Sequence, residues 1–217
     1  MKKLKLSQAE IDKLVAVERR VVEPTVLGVG LLDVCFQISV GRTRIWQYKM
    51  WSNMLMRCFG NKYKQEHPTY RDVTCCKGWL SFGSFVEWVN KQVGYSGLKP
   101  YFVLDKDILK VGNKQYCPEC CSIVPSEINM LFTTGKATRG DLPIGVYHNK
   151  ESGNYAAQIS RFGVMNTIGL YDTPEEAFAV YKAAKEAHVK VVADRYKEVL
   201  KPSVYDALMA WEVDIFS

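Results

Sequence analysis

The stretch Ile144–Ala184, IGVYHNKESGNYAAQISRFGVMNTIGLYDTPEEAFAVYKAA, decides the fold of the C-terminal half, because its pattern switches once from strand to helix. IGVYHN, NYAAQISRF and TIGLYD are short runs of β-branched and aromatic residues. Between them lie Lys150-Glu151-Ser152-Gly153 and Gly163-Val164-Met165-Asn166, near which the chain must turn. In the middle strand the pleat sends Tyr155, Ala157 and Ile159 to one face and Ala156, Gln158, Ser160 and Phe162 to the other. Thr173-Pro174-Glu175-Glu176 is a helix start, with Thr as N-cap, Pro at the first helical position and Glu three residues on. Ala177, Tyr181 and Ala184 then give that helix a flat face of small residues, suited to lying on the first set. The reading is a three-stranded antiparallel sheet packed on a helix, with the helical pattern running on through Val189, Val192, Tyr196 and Val199 toward Pro202.

Upstream, Thr133–Pro143 (TTGKATRGDLP) is polar and contains Gly and Pro, the composition of a linker. It divides the chain into an N-terminal domain, 1–132, and a C-terminal domain, 144–217. In the first, Ser7-x-x-Glu10 is a capping box opening a helix with Ile11, Leu14, Val15 and Val17 on its apolar side and Pro24 beyond its end. VLGVGLLDVCFQISV predicts one or two strands. From Arg44 to Phe59 the residues Tyr48, Trp51, Leu55, Cys58 and Phe59 recur at helical spacing, a core-packing pattern. Gly60–Pro68 reads as a polar loop. SFGSFVEWV reads as a second aromatic helix with Phe82, Phe85, Val86 and Val89 inward. Gly94–Pro100 reads as a loop delivering the strand YFVLDKDIL, and a short helix or turn follows Pro118. The fold class expected is α+β.

Composition narrows the function classes. The chain has 217 residues, 47% of them apolar and 24% charged, enough to bury a core. No window approaches the ~20 apolar residues of a membrane span. The start MKKLKLSQAEIDKL is basic but leads into no apolar run, so a cytoplasmic protein without membrane partners is expected. Net charge is +6, and Lys2, Lys3, Lys5, Arg19, Arg20, Arg42, Arg44, Lys49, Arg57, Lys62 and Lys64 crowd the first third, a distribution that fits a phosphate-contacting surface, with an ordinary solvated face as the other reading. Seven cysteines show no secreted-type framework. Cys117-x-x-Cys120 is a single zinc-type spacing and Cys75-Cys76 an adjacent pair, so reduced, packed thiols stand beside a structural zinc as the two readings.

The C-terminal residues Gly145, Val146, Ala157, Ile159, Gly169, Thr173, Glu175, Glu176 and Ala177 resemble the pattern of the Apetala-type (ethylene-response-factor) DNA-binding domain, over roughly residues 144–188. In that family a three-stranded sheet lies in the major groove of DNA with a helix on its back. The resemblance implies base contacts from Tyr147, Asn149, Gln158, Ser160 and Thr167, with Lys150 and Arg161 near phosphates. The plant domains use arginines and tryptophans where this chain has Tyr147, Asn149, Ser160 and Thr167, so their sequence specificity does not carry over.

The N-terminal segments YKMWSNMLMRCFG, PTYRDVTCCKGWLSFGSFVEWV and LDKDIL…GNKQYCPECC resemble phage HNH-like, homing-type endonucleases, some relatives of which carry an Apetala-type domain at the C-terminus. The resemblance implies a ββα-metal (HNH-like) finger inside the α+β N-terminal domain. It places Asp105, Asp107 and Cys120 as ligands of a divalent metal (Mg or Mn), Lys106 at the catalytic base position and Asn113 as the residue that orients the base. The departures are chemical. Lysine, with an unperturbed pKa of about 10.4, is a donor at neutral pH. Cysteine is a soft ligand where magnesium takes oxygen. The three histidines, His67, His148 and His188, lie outside the finger. The implied function is binding and nicking or cleavage of double-stranded DNA in the bacterial host of a phage. The alternatives are a catalytically silent, regulatory DNA-binding protein on the same fold and an interaction module acting on a host protein.

Overall fold

A computed structural model describes residues 3–92, 102–132 and 141–215. The chain is α+β with small sheets and falls into two units: 1–126 with 198–204, and 127–197 with 205–217. Residues 127–132 thus lie with the second unit, and 198–204 with the first. The loop expected at Gly94–Pro100 and most of the expected linker, 133–140, lie outside the described residues. Among the described residues no helix is long and apolar enough to cross a membrane.

In the first unit, Ser7 caps α1 (Gln8–Asp12) through the reciprocal capping box with Glu10. The helix is shorter than its pattern, because beyond Lys13 the chain leaves to reach the body of the unit. The Val17 amide donates to Glu87, Arg19 bridges Val34, and Val15 is left exposed. The expected strands at 26–40 are replaced, before Ser39, by a turn at 27–29 and isolated bridges (Leu4 to Phe36, Val26 to Gly30, Leu31 to Ser81). Regular pairing is confined to β1 (Ser39–Val40) and β2 (Thr43–Arg44).

Next, α2 (Trp46–Phe59) buries Trp51, Met54, Leu55 and Cys58. Asn61–Glu66, expected as loop, is a helix (α3) with no buried residue. Its Lys, Gln and Glu are good helix formers, and Lys62 and Glu66 face each other one turn apart at 3.8 Å. β3 (Thr74–Cys75) leads to α4 (Phe82–Asn90), which Ser81 caps and which buries Phe82, Phe85, Val86 and Val89 as its periodicity requires. Trp51 donates from its indole to the Trp79 carbonyl at 2.7 Å, and its ring lies 5.2 Å from Phe82. Gln47 is fully buried yet satisfied: its amide donates to Asp12 and Asn90, and its oxygen accepts from Gln8. That polar knot fastens α1 to α2 and α4 where apolar contact alone would leave their angle loose.

The strand expected at 101–109 is shorter, β4 (Phe102–Asp105). It pairs antiparallel with β6 (Ser122–Pro125), a fully buried strand that sequence patterning did not find. Between them β5 (Gln115–Tyr116) pairs in parallel with β3. Residues 118–120 form a turn, and α5 (Ser126–Met130) follows β6 directly.

The second unit keeps the pleat of its sequence. β7 (Val146–His148), β8 (Tyr155–Arg161) and β9 (Val164–Tyr171) form an antiparallel sheet in that order. α6 (Pro174–Arg195), capped by Thr173 and Glu176, packs on it through Ala177, Tyr181 and Ala184 against Val146, Tyr155, Ala157 and Ile159. The β8–β9 hairpin turns on two residues, Phe162 and Gly163, both with positive φ, the backbone of a type I′ turn. The long helix ends at Arg195, and a short helix, α7 (Pro202–Met209), follows.

Candidate functional site

The Asp105–Gln115 loop is held by its own side chains. β4 stops at Asp105 because its carboxylate Oδ1 accepts the backbone N–H groups of Asp107 and Ile108, both at 2.8 Å, turning the chain. Lys106 then folds back. Its Nζ donates to both carboxylate oxygens of Asp107 at 2.7 Å and to the Asn113 carbonyl at 2.8 Å. Asn113 is buried and returns the contact: its Nδ2 donates to the carbonyls of Lys106 (2.9 Å) and Gln115 (2.6 Å), and its Oδ1 accepts the Gln115 N–H (3.1 Å). The positions expected to be base and base-orienting residue are thus clamped to each other, and Lys106 acts as a donor to three acceptors.

Beside the loop, Arg57 donates to the Tyr116 hydroxyl at 3.2 Å and its guanidinium lies 5.5 Å from the centre of the Tyr70 ring. Burial pushes the Tyr116 and Tyr70 phenols up, and the negative charges of Asp107 and Asp105 add to the shift at Tyr70. Asp105 itself is pushed up by burial, which outweighs the two amides that favour its charge.

This arrangement does not fit a divalent ion. Both oxygens of Asp107 face an ammonium, Asp105 spends an oxygen on two amides, and the Asn113 oxygen holds an amide. Cys120 sits in the Cys117–Cys120 turn, its amide donating to the Cys117 carbonyl at 3.3 Å. Among the described residues no group of three or more His, Cys, Asp or Glu side chains is placed to hold a metal, so Asp105, Asp107 and Cys120 are not brought together as one, nor are the cysteines as a zinc site. All seven cysteines are free thiols. Burial pushes Cys117 up to about 11 and raises Cys121 further, which leaves both as protonated, packed groups.

No known protein family, curated protein or solved structure matches this chain.

Lys49 and Arg57 count among the basic residues of the first third in the sequence, but the apolar period of α2 does not show that they share one face. Lys49, Asn53 and Arg57, spaced four apart, form a polar stripe opposite Trp51, Leu55 and Cys58. The stripe borders a groove of about 210 Å³ that is also lined by Trp46 and Met50 and by Phe102–Leu104 of β4. Arg42 and Arg44, on the exposed β1–β2 hairpin, immediately precede it. The signal was present in the sequence as i, i+4, i+8 polar spacing. Charge is also divided unevenly: the first unit has 20 Lys and Arg against 12 Asp and Glu, the second 9 against 11.

On the second unit, cross-strand partners define an open sheet face. Tyr147, Ala156 and Leu170 form one row, and Gln158 donates to Thr167 at 3.3 Å in the next. Tyr147 and Leu170 are exposed, and these rows carry no formal charge. Of the other residues expected to touch DNA, Ser160 is exposed, and Lys150 is exposed in the β7–β8 turn. Asn149 is committed to that turn, accepting the Glu151 N–H at 3.0 Å. Arg161 alternates with Ile159, on the opposite face from Gln158, and its charge acts on His188.

Asp105 provides a test of the turn. The Asp105→Asn side chain keeps an oxygen for both amides and removes an ionisation that burial opposes. Because the folded pKa of Asp105 is raised, its contribution to stability is present at low pH and lost as pH rises through that value. The variant is therefore expected to be within about 1 kcal/mol of wild type at neutral pH, or more stable, with wild type gaining relative to it on acidification. Urea denaturation across pH measures this. A loss above about 2 kcal/mol at neutral pH would mean that the carboxylate charge itself holds the loop.

Proposed function

We propose that the chain binds double-stranded DNA through its first unit and does not hydrolyse it. The observation that carries this reading is the concentration of positive charge on that unit, with Lys49, Asn53 and Arg57 in a stripe beside the groove and Arg42 and Arg44 exposed next to it. Cations spaced along a surface displace the counterions condensed on DNA, so affinity falls steeply with salt. Hydrolysis needs a base and a metal-ready set of oxygens. In the Asp105–Asn113 loop the side chain at the base position is a donor and the carboxylates are engaged.

The test is fluorescence anisotropy of a labelled duplex at several salt concentrations. With about five phosphate contacts, log affinity against log salt is expected to have a slope of roughly −4 to −5, and the triple variant Arg42→Gln, Arg44→Gln, Lys49→Gln should flatten it by about 3. A flat line for wild type overturns DNA binding. In parallel, supercoiled plasmid with Mg or Mn is expected to show no nicking above that of Asp105→Ala, and faster nicking by wild type would restore the endonuclease reading.

The uncharged sheet face, with exposed Tyr147, Ile168 and Leu170, favours a second reading for the other unit, contact with a host protein in place of DNA. On that reading Tyr147→Ser leaves duplex affinity unchanged. A loss of duplex affinity in that variant would return the sheet to DNA, as the Apetala-type resemblance implies.

A further inference from the structure

The second unit contains a concavity of about 710 Å³, within the size range of small-ligand pockets. Its apolar wall includes Leu131, Ile144 and Tyr181, and its polar wall carries the cations Lys185 and Arg195 with the His188 ring between them along α6. Burial, and then the charges of Lys185, Arg161 and Arg195, act on His188 against its protonation, while the Glu127 carboxylate acts the other way. Among the described residues that line the site the one carboxylate is Glu127, and it is already engaged by Arg195 at 3.0 Å and by the Tyr196 hydroxyl at 2.7 Å. Lys185 is partly buried, burial depresses its basicity, and among the described residues no side chain accepts a hydrogen bond from its ammonium or pairs with it. A partly buried lysine without a counter-charge is a cost to the fold that an anion would remove.

A second observation points to the same place. Phe162 has φ of +51°, a backbone region that bulky residues avoid, although it occupies a two-residue turn where Asn or Gly is usual. Its ring meets His188 edge-on at 4.9 Å, and the Arg195 guanidinium lies 4.4 Å from its centre. The turn thus holds an aromatic ring against the cationic wall at a conformational cost, as strained residues at binding sites do.

We infer that this cavity binds an organic anion, a carboxylate or phosphate monoester on an apolar body, with Lys185 as the anchor of the charged group and Tyr181, Ile144 and Leu131 enclosing the apolar part. The site is independent of the DNA-binding reading.

Isothermal titration of the full chain with octanoate, octyl phosphate and octanol tests it. At least one of the two anions is expected to bind at least about tenfold more tightly than octanol, and which of them is tighter identifies the headgroup. Lys185→Met keeps the length and packing of the stem and should lose about tenfold or more of anion affinity, while Lys185→Arg keeps most of it. Duplex affinity should be unchanged in both. In wild type, followed by NMR, the tighter anion should raise the pKa of the His188 ring. Equal binding of octanol and both anions, undiminished binding by Lys185→Met, or a His188 titration unmoved by saturating anion would each overturn the assignment.

Discussion

Gly145→Ala is expected to destabilise the second unit by about 2–5 kcal/mol, seen as a lowered urea midpoint and faster hydrogen exchange at the β8 amides. Two causes act together. Gly145 has φ of +78°, which costs an L-residue about 1–2 kcal/mol. A Cβ there would also stand 2.1–2.3 Å from three carbons of the Tyr181 ring. Tyr181 cannot swing aside easily, because it is buried between α6 and the sheet in the cluster formed by Val146, Ala157 and Ile159. Relief therefore requires the helix and sheet to part, and overpacking of this kind costs about 1–3 kcal/mol more. Gly153→Ala is the control. Its φ is +76° but nothing lies within 4 Å of a Cβ, so the backbone cost of about 1–2 kcal/mol alone should appear. Equal losses at the two glycines would show that Gly145 is not required by the close approach of the Tyr181 ring.

The second unit was legible in the sequence because its determinants are local. Alternation in NYAAQISRF sorts Tyr155, Ala157 and Ile159 from their neighbours, and Thr173 with Glu176 marks the helix start, without any distant contact. What was not legible is the irregular step opposite Ala157 and Gln158. Strict alternation back from Gly169 would put Thr167 on the helix side, whereas the extra residue in β9 pairs it with Gln158 on the open face.

The first unit was legible where period sufficed and illegible where long-range pairing decides. The periodicity of Trp51, Leu55 and Cys58, and of Phe82, Phe85, Val86 and Val89, found α2 and α4 with the right faces inward. β6 escaped because Ser122–Pro125 is four residues long and buried throughout, so it shows no alternation. The Ser7–Glu10 box found the start of α1 but not its length, which is set by the Asn90 side chain donating to the carbonyls of Ile11 and Leu14. Asp105, Lys106, Asp107 and Asn113 were legible as neighbours in one loop but not in the bonds they make. Which atoms Lys106 and Asn113 bond depends on how an eight-residue loop closes, and no spacing rule encodes that.

The largest effect expected in that loop follows from the closure. Asn113→Ala removes two donated bonds and one accepted bond at a buried position, leaving the carbonyls of Lys106 and Gln115 and the Gln115 N–H without their partner. Each such bond contributes about 1 kcal/mol net, and each buried polar group left unmet costs about 1–3 kcal/mol, so a loss of roughly 2–4 kcal/mol is expected after partial access by water. The damage is not confined to the loop. Gln115 opens β5, whose pairing with β3 sets Tyr116 and Cys75 against the core of the unit. Asn113→Asp sharpens the test, because a carboxylate still accepts the Gln115 N–H but donates nothing and turns a negative oxygen toward two carbonyls. It should be at least as destabilising as alanine at neutral pH and should recover on acidification, when the carboxyl regains a proton to donate. Urea denaturation of both variants measures this. Asn113→Ala as stable as wild type would remove the clamp, and with it the reason to read Lys106 and Asn113 as the loop's fastening in place of a catalytic pair.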